Sequence, residues 1–298
     1  MNKTSIEWVK NPNGTQGYTW NPITGCLEGC EYCYARRLAN GRLKSRYLAN
    51  SNLATMPMSE IWDKKLKYTD IYKAVADPFY PRFWPERLED PLKVAQPCGI
   101  FTCDMGELFG DWIPYEWQEA VFNVIKIAQQ HRFYLLTKQP QNLIKFSPFP
   151  GNCRVGVTAT NQEQYRSALA GLAVIEAKVK YISFEPLLEY IATNPPYDLE
   201  GLNWVIIGAC TGTKLELLEL AAKLRKGGPP LEMALMPYGK KWTLQPKIEW
   251  VQEIVEAADK AGVKVFLKDN LMPLFEAEGI TKRADWTGIR QEMPRQRE

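Results

Sequence analysis

Phe133-Tyr134-Leu135-Leu136-Thr137 carries apolar side chains at consecutive positions. Neighbours in an extended chain point to opposite faces, so this segment is apolar on both. That is the pattern of a parallel strand covered by helices. Similar runs lie on either side of it. Cys98-Gly99-Ile100-Phe101-Thr102-Cys103 comes before. Val155-Gly156-Val157-Thr158, Lys180-Tyr181-Ile182-Ser183-Phe184, Trp204-Val205-Ile206-Ile207-Gly208 and Val263-Lys264-Val265-Phe266-Leu267 come after. Between these runs the period lengthens to that of a helix. After Pro114, the residues Trp117, Val121, Val124, Ile125 and Ala128 share one helical face. Tyr165, Leu169, Leu172 and Ala173 form a second such face, and Ile248, Val251, Ile254, Val255 and Ala258 a third. Gly262 follows the third and can supply the left-handed residue that ends a helix. Strands alternating with helices predict an α/β chain with a parallel sheet. With six runs after residue 97 and room for one more before Cys26, the count suits a full or partial (β/α) barrel. A doubly wound sheet is the alternative.

Two stretches interrupt the alternation. Residues 37–97 are rich in aromatics and include Pro78, Pro81, Pro85, Pro91 and Pro97. Prolines at that density break helices and strands alike, so the stretch reads as an irregular wrap or lid. Residues 226–247 hold Gly227-Gly228-Pro229-Pro230, then Pro237, Gly239 and Pro246, and read as a long loop. The organisation expected is a single domain over 1–298 with insertions at about 37–97 and 226–247.

Composition narrows the function classes. The chain has 298 residues, 45% hydrophobic and 24% charged, with a formal charge of +3, which excludes disorder as the main state and the strong basic surplus of a chromatin protein. No apolar run approaches the roughly 18 residues of a membrane span. The opening Met1–Trp8 lacks the apolar stretch of a signal peptide, and seven cysteines are too few for a disulfide scaffold. The setting expected is therefore a reducing cytoplasm, where clustered cysteines bind metal or react. His131 is the only histidine. Metal sites built on two or three histidines are excluded by counting. His131 lies between a helix pattern and a strand pattern and reads as a structural junction.

The residues richest in chemistry are Gly25-Cys26-Leu27-Glu28-Gly29-Cys30-Glu31-Tyr32-Cys33-Tyr34, with three thiols spaced C-x3-C-x2-C. Three thiolates ligate three irons of a [4Fe–4S] cube and leave the fourth iron open. An open metal position marks a catalytic site rather than a closed structural one. The competing reading is a zinc knuckle completed by a distant fourth ligand. Cys98, Cys103, Cys153 and Cys210 all fall in or beside strands.

The cysteine spacing resembles that of radical S-adenosylmethionine (SAM) enzymes. Within that superfamily the chain resembles the phage Gp37/Gp68-like (DUF5131) family. The matching segments are Thr19–Cys26, Cys30–Ala35, Leu136-Thr137-Lys138-Gln139-Pro140, Val155–Thr158, Ser183-Phe184-Glu185-Pro186-Leu187 and Trp204–Gly208. The resemblance implies a barrel of the radical SAM type in which Cys26, Cys30 and Cys33 hold the cluster. SAM would chelate the open iron. One electron would then split it into methionine and a 5′-deoxyadenosyl radical that abstracts hydrogen from substrate. It also implies a reductase or a flavodoxin/ferredoxin-type electron donor, and no membrane partner.

Active sites of such folds form at the C-terminal ends of the strands. Candidates there are Asp104, Glu107, Thr137, Lys138, Thr158, Asn161, Ser183, Glu185, Cys210, Lys268 and Asp269. Those expected to bind SAM are Gly106, Glu107, Lys138, Thr158, Asn161, Ser183 and Glu185. Gly106-Glu107 stands where related enzymes place a Gly-Gly-Glu segment that grips the SAM amino group, although Met105 precedes it here. Glu185 has the parity of Ser183 and Tyr181, so the three share a strand face. Each of these polar residues could equally cap a helix or sit in a solvated loop. Cys210 stands in Ala209-Cys210-Thr211, where the family usually reads Gly-Gly-Glu-Ser-Gly. It is either a small buried residue or a hydrogen-atom donor to a substrate radical.

Arg36, Arg37, Arg42, Lys44 and Arg46 follow the cysteines with no acid among them. They read as a phosphate-binding edge or as a solvated helix face. A second basic run holds Arg283, Trp286, Arg290, Arg295 and Arg297. These favour a nucleic acid or nucleotide substrate. A peptide or small metabolite, or a non-catalytic zinc or Fe–S module that touches nucleic acid, are the alternatives.

Overall fold

A computed structural model of the chain describes residues 1–54, 76–194, 197–225, 233–280 and 289–294. These fall into two units, one of Met1–Phe146 with Pro150–Cys153 and one of Ser147–Phe149 with Arg154–Glu298.

In the first unit, β1 (Asn2–Lys3) runs antiparallel to β2 (Tyr18–Trp20), and β3 (Ile23–Thr24) pairs antiparallel with β4 (Arg82–Phe83). The apolar runs become β5 (Gly99–Thr102) and β6 (Arg132–Thr137). β2 and β5 are parallel with Tyr18 opposite Ile100, and β5 and β6 are parallel with Gly99 opposite Arg132. The helix Tyr115–Ile127 connects β5 to β6 and buries Val121, Val124 and Ile125 of the face its period predicts, with Phe122 beside them, while Trp117 is half-buried and Ala128 falls just past the helix end. Aromatic rings fill the space around these strands. Trp8 lies 4.9 Å from Phe101 and 5.6 Å from Tyr134, and Trp20 lies 5.8 Å from Phe133. Such ring pairs add to the apolar area they bury.

The reading of residues 37–97 as irregular needs correction at both ends. Helices span Tyr34–Asn40, Lys44–Ala49 and Pro85–Leu88. Pro85 opens its helix, where the missing N–H costs nothing. Residues 55–75 lie outside the described residues.

The second unit carries β7 (Cys153–Thr158), β8 (Val179–Phe184) and β9 (Trp204–Ile207). All are parallel neighbours, with Thr158 opposite Ser183 and Tyr181 opposite Trp204. The helix Gln162–Ala173 links β7 to β8. After β9 the chain forms β10 (Cys210–Gly212), the helix Lys214–Arg225, β11 (Ala234–Tyr238) and β12 (Lys241–Gln245). The helix Ile248–Lys260 then leads to β13 (Lys264–Leu267), parallel to β9. That helix ends as predicted, with Gly262 at φ +68. Residues 289–294 lie along β13. Leu267 N–H donates to Arg290 O at 2.7 Å and Glu292 N–H to Val265 O at 2.9 Å. Trp204 Nε1 donates to Glu292 O at 2.8 Å.

The loop expected over 226–247 is instead a hairpin from residue 234 onward, and β10, β12 and β11 form a three-stranded antiparallel sheet. Of the residues that suggested a loop, Gly227-Gly228-Pro229-Pro230 lie outside the described residues, and the others are compatible with the hairpin. Gly239, at φ +56, opens the two-residue turn. Pro237 sits on β11, an outer strand of this sheet, and Pro246 falls just past β12. Among the described residues, no helix is long and apolar enough to cross a membrane.

His131 is the junction its position suggests. It is 2% exposed. Its Nδ1 accepts the Cys98 N–H at 3.1 Å, so its hydrogen is on Nε2, which lies 2.9 Å from Pro91 O. His131→Ala strands a buried donor and a buried acceptor. The variant should lose roughly 1–3 kcal/mol of unfolding free energy in urea titrations. An unchanged midpoint would remove the junction role.

Candidate functional site

The cysteine loop begins where β3 ends. Gly25 adopts φ +92, and a Cβ there would lie 2.5 Å from Tyr80 O, so both the turn and the space demand glycine. Its N–H donates to Met105 O at 2.9 Å, and its carbonyl accepts from Glu107 N–H at 3.2 Å. These two bonds set the loop against the end of β5. Leu27, Glu28 and Gly29 are exposed at the apex, while Cys26, Cys30 and Cys33 are half-buried free thiols. Cys33 caps the helix Tyr34–Asn40, with its Sγ accepting from Arg36 N–H at 3.4 Å. Cys26 Sγ accepts from Glu28 N–H at 3.4 Å. Burial pushes the Cys26 thiol up to about 12 and Cys30 in the same direction. Thiols of this kind give up their protons to a metal.

This donor set fits an iron–sulfur cluster. Three half-buried thiols stand in one short loop, and two of their sulfurs already accept backbone N–H groups, a feature that tunes such clusters. Among the described residues no three His, Cys, Asp or Glu side chains are gathered to hold one metal ion.

Beside the loop, the ends of β5 and β6 meet at Glu107, which is 6% exposed. Its Oε1 accepts from Thr137 Oγ1 at 2.7 Å and from Phe109 N–H at 3.0 Å, and its Oε2 accepts from Lys138 N–H at 3.1 Å. Burial raises its pKa, and these donors oppose the rise. The Lys138 Nζ lies 5.6 Å from the Tyr32 ring centre. Burial works against the Lys138 charge. The pull of Tyr32, Cys30, Glu107 and Cys33 outweighs it, and the pKa rises. Gly106, Glu107, Thr137 and Lys138 thus gather with the cysteines in the first unit. Asp104 joins them through two residues that the sequence did not single out. Asn21 Nδ2 donates to Asp104 Oδ1 at 2.6 Å, and the Tyr34 hydroxyl donates to Asp104 O at 2.6 Å. Burial raises the Asp104 pKa, opposed by the hydrogen bonds from Asn21, Tyr34 and Thr19.

The second unit holds its own polar group. Thr158 and Ser183 sit opposite each other on β7 and β8, 4% and 0% exposed. Among the described residues Ser183 Oγ has no hydrogen-bond partner. Two residues further, Glu185 pairs with Lys268 Nζ. Gly208 makes room for them, because a Cβ there would lie 2.9 Å from Lys268 Cδ and 3.4 Å from Glu185 Cγ. Asn270 brackets Ala209, accepting its N–H at 3.1 Å and donating to its carbonyl at 2.8 Å. Cys210 is 6% exposed on β10. Asn161 caps the helix Gln162–Ala173, accepting from Gln164 N–H at 2.8 Å. Asp269 Oδ1 accepts from Gln291 Nε2 at 2.8 Å.

The basic residues divide. Arg42, Lys44 and Arg46 are exposed and Arg37 is half-buried. Arg36, read with its neighbours as a phosphate-binding edge or a solvated helix face, is half-buried and pairs with Asp77 at 3.2 Å. Arg290 pairs with Asp259 at 2.7 Å and Glu292 at 2.9 Å. Arg283, Trp286, Arg295 and Arg297 lie outside the described residues.

A family model described as a protein of unknown function (DUF5131) matches residues 3–222. No curated protein matches the chain. Among solved structures, a cysteine-to-alanine variant of spore photoproduct lyase with dinucleoside spore photoproduct is matched at a TM-score of 0.50 and 11% identity, over 90% of this chain and 81% of that one. A tyrosine-to-phenylalanine variant of the same lyase gives 0.50 and 11%, over 89% and 80%. A doubly substituted form with bound AdoMet and the dinucleoside gives 0.50 and 12%, over 86% and 76%. At these identities the likeness shows a shared fold.

Glu107→Gln tests the centre of the first group. The amide turns one of the two accepting oxygens into a donor, so either the Lys138 N–H or the Thr137 and Phe109 pair loses its acceptor. It should lower the unfolding free energy of the metal-free protein by roughly 1–3 kcal/mol in urea. An unchanged value would show that the carboxylate is not needed as an acceptor.

Proposed function

This chain belongs to the DUF5131 family, and from that premise we propose that it is a radical SAM enzyme acting on a nucleic-acid or nucleotide substrate. The observation that carries the reading is the loop of Cys26, Cys30 and Cys33, three half-buried free thiols. The fold is proposed to be a full or partial barrel of the radical SAM type. The shared fold with a lyase whose structure holds AdoMet and a dinucleoside supports both the cofactor and the substrate class. The exposed Arg42, Lys44 and Arg46 suit a phosphate backbone.

In this reading Cys26, Cys30 and Cys33 hold a [4Fe–4S] cluster. When bound, the cluster and SAM supply a one-electron reductive cleavage whose product takes a hydrogen atom from substrate. The chain's own groups bind and orient. The N–H groups of Glu28 and Arg36 steady the sulfurs of Cys26 and Cys33. Lys138 offers an ammonium to a carboxylate, and Glu107 with Gly106 lies beside it. Thr158, Asn161, Ser183 and Glu185 complete the proposed SAM contacts. The unsatisfied Ser183 hydroxyl seeks a partner, and Glu185 with Lys268 presents opposite charges to a zwitterion. Cys210 is assigned the role of hydrogen-atom donor to the substrate radical. The electron comes from a reductase or a flavodoxin/ferredoxin-type donor in the cytoplasm.

Anaerobic reconstitution tests the proposal. The protein should take up about four irons per chain. With dithionite and SAM it should form 5′-deoxyadenosine, read by mass spectrometry against DNA, RNA and nucleoside pools. Cys30→Ala should abolish that product. A loaded protein that forms none, or a Cys30→Ala variant that still forms it, would refute the reading.

A further inference from the structure

Cys26 is gripped from outside its own loop. The turn Asp77–Tyr80 closes with Tyr80 N–H on Asp77 O at 3.1 Å, and Phe79 N–H donates to Asp77 Oδ1 at 2.8 Å. Arg82, fully buried, braces this turn from below. Its Nη1 donates to Pro78 O at 3.1 Å and Tyr80 O at 2.7 Å, and its Nη2 to Asp77 O at 3.1 Å. The braced turn presents Phe79 O to the Cys26 N–H at 3.0 Å and packs Tyr80 O against Gly25.

Arg36 completes the grip from the other side. Its Nη2 donates to Cys26 O at 3.0 Å, and its Nη1 pairs with Asp77 Oδ2 at 3.2 Å. Its guanidinium carbon lies 4.9 Å from the centre of the Phe79 ring. Its backbone N–H meanwhile donates to Cys33 Sγ at 3.4 Å. One residue therefore touches the first and the last of the three thiol-bearing residues and ties both to the braced turn. The planar fork suits this task, because it reaches a carbonyl and a carboxylate in fixed directions while its face stacks on a ring. The pair is also oriented. The cationic end touches Cys26, and the anionic end lies beyond it on Asp77.

We propose that Arg36 is a positioning residue for the iron–sulfur cluster, fixing Cys26 relative to Cys33 and holding a positive charge behind Cys26 that raises the cluster's reduction potential. The inference rests on the cluster reading above. Reduction adds negative charge to a cluster, so a fixed cation nearby favours the reduced form and a fixed anion disfavours it. The two ends of the pair should therefore act with opposite sign.

The test is a redox titration of reconstituted parent, Arg36→Ala, Arg36→Lys and Asp77→Asn proteins, followed by the electron paramagnetic resonance signal of the reduced cluster. Arg36→Ala should move the midpoint down. Asp77→Asn keeps an acceptor for the Phe79 N–H and should move it up. Arg36→Lys keeps the charge and should stay nearer the parent than Arg36→Ala. Iron retention against a chelator should fall about 10- to 100-fold in Arg36→Ala, the loss typical of removing a group that orients a metal ligand. Far-UV circular dichroism of the metal-free proteins checks folding. If Arg36→Ala does not fold, the other two variants carry the test. Midpoints that move together, or not at all, overturn the inference while leaving the cluster reading intact. A parent protein that takes up no cluster overturns the cluster reading instead.

Discussion

Two backbone hydrogen bonds organise the candidate site: Gly25 N–H to Met105 O, and Glu107 N–H to Gly25 O. They join the start of the cysteine loop to the end of β5 as one more rung of parallel pairing. The polar groups of the candidate site in the first unit flank that rung. The thiols follow it on one side, and Glu107 follows it on the other, where it collects the Thr137 hydroxyl and the Lys138 amide from β6. Gly25 is glycine because the rung brings Tyr80 O too close for a side chain. Backbone bonds serve this purpose better than side-chain contacts, since they leave no rotamer freedom in the loop's origin.

Glu107 illustrates how burial and chemistry are reconciled here. A carboxylate at 6% exposure is expensive unless its oxygens are matched, and three donors match them. The same donors anchor the chain immediately before Lys138, whose ammonium faces Tyr32 and the cysteines. The second unit uses a different device. There the opposite charges of Glu185 and Lys268 lie over a residue without a side chain, and among the described residues the hydroxyl of fully buried Ser183 has no hydrogen-bond partner. Unsatisfied buried polar atoms are uncommon in folded proteins, and each needs an explanation.

The parallel strands were legible because a strand covered on both faces has to be apolar at consecutive positions, as Phe133–Leu136 is. The helix Ile248–Lys260 and its stop at Gly262 were legible for the equally local reason of period and cap. The hairpin of β11 and β12 was not, because Pro237 and Gly239 look alike in a loop and on an outer strand with a tight turn. The helices after Cys33 were absorbed into a stretch judged by its later prolines. Within the site, the cysteines announce themselves by spacing, and Glu107 was reached through its place past a strand end together with resemblance. Asn21 and Tyr34 could not be seen, since their partner Asp104 is 83 and 70 residues away in the chain. Arg36 was misread for the same reason. A basic residue in a basic run shows its charge, not the Asp77 that neutralises it 41 residues later.

The segment 289–294 has a bearing on how this protein behaves in a concentrated solution. β13 ends the second unit's parallel sheet, and its outer row of amides and carbonyls would otherwise offer a template to another chain. The bonds from Leu267 to Arg290 and from Glu292 to Val265 occupy that row, and Trp204 and Arg154 fasten the segment with further bonds to Glu292 O and Pro294 O. A few residues of irregular chain thus do for this edge what a barrel does by closure. They keep the molecule from adding strand to strand into aggregates, so trimming the chain before Arg290 would expose a sticky rim rather than merely shorten a tail.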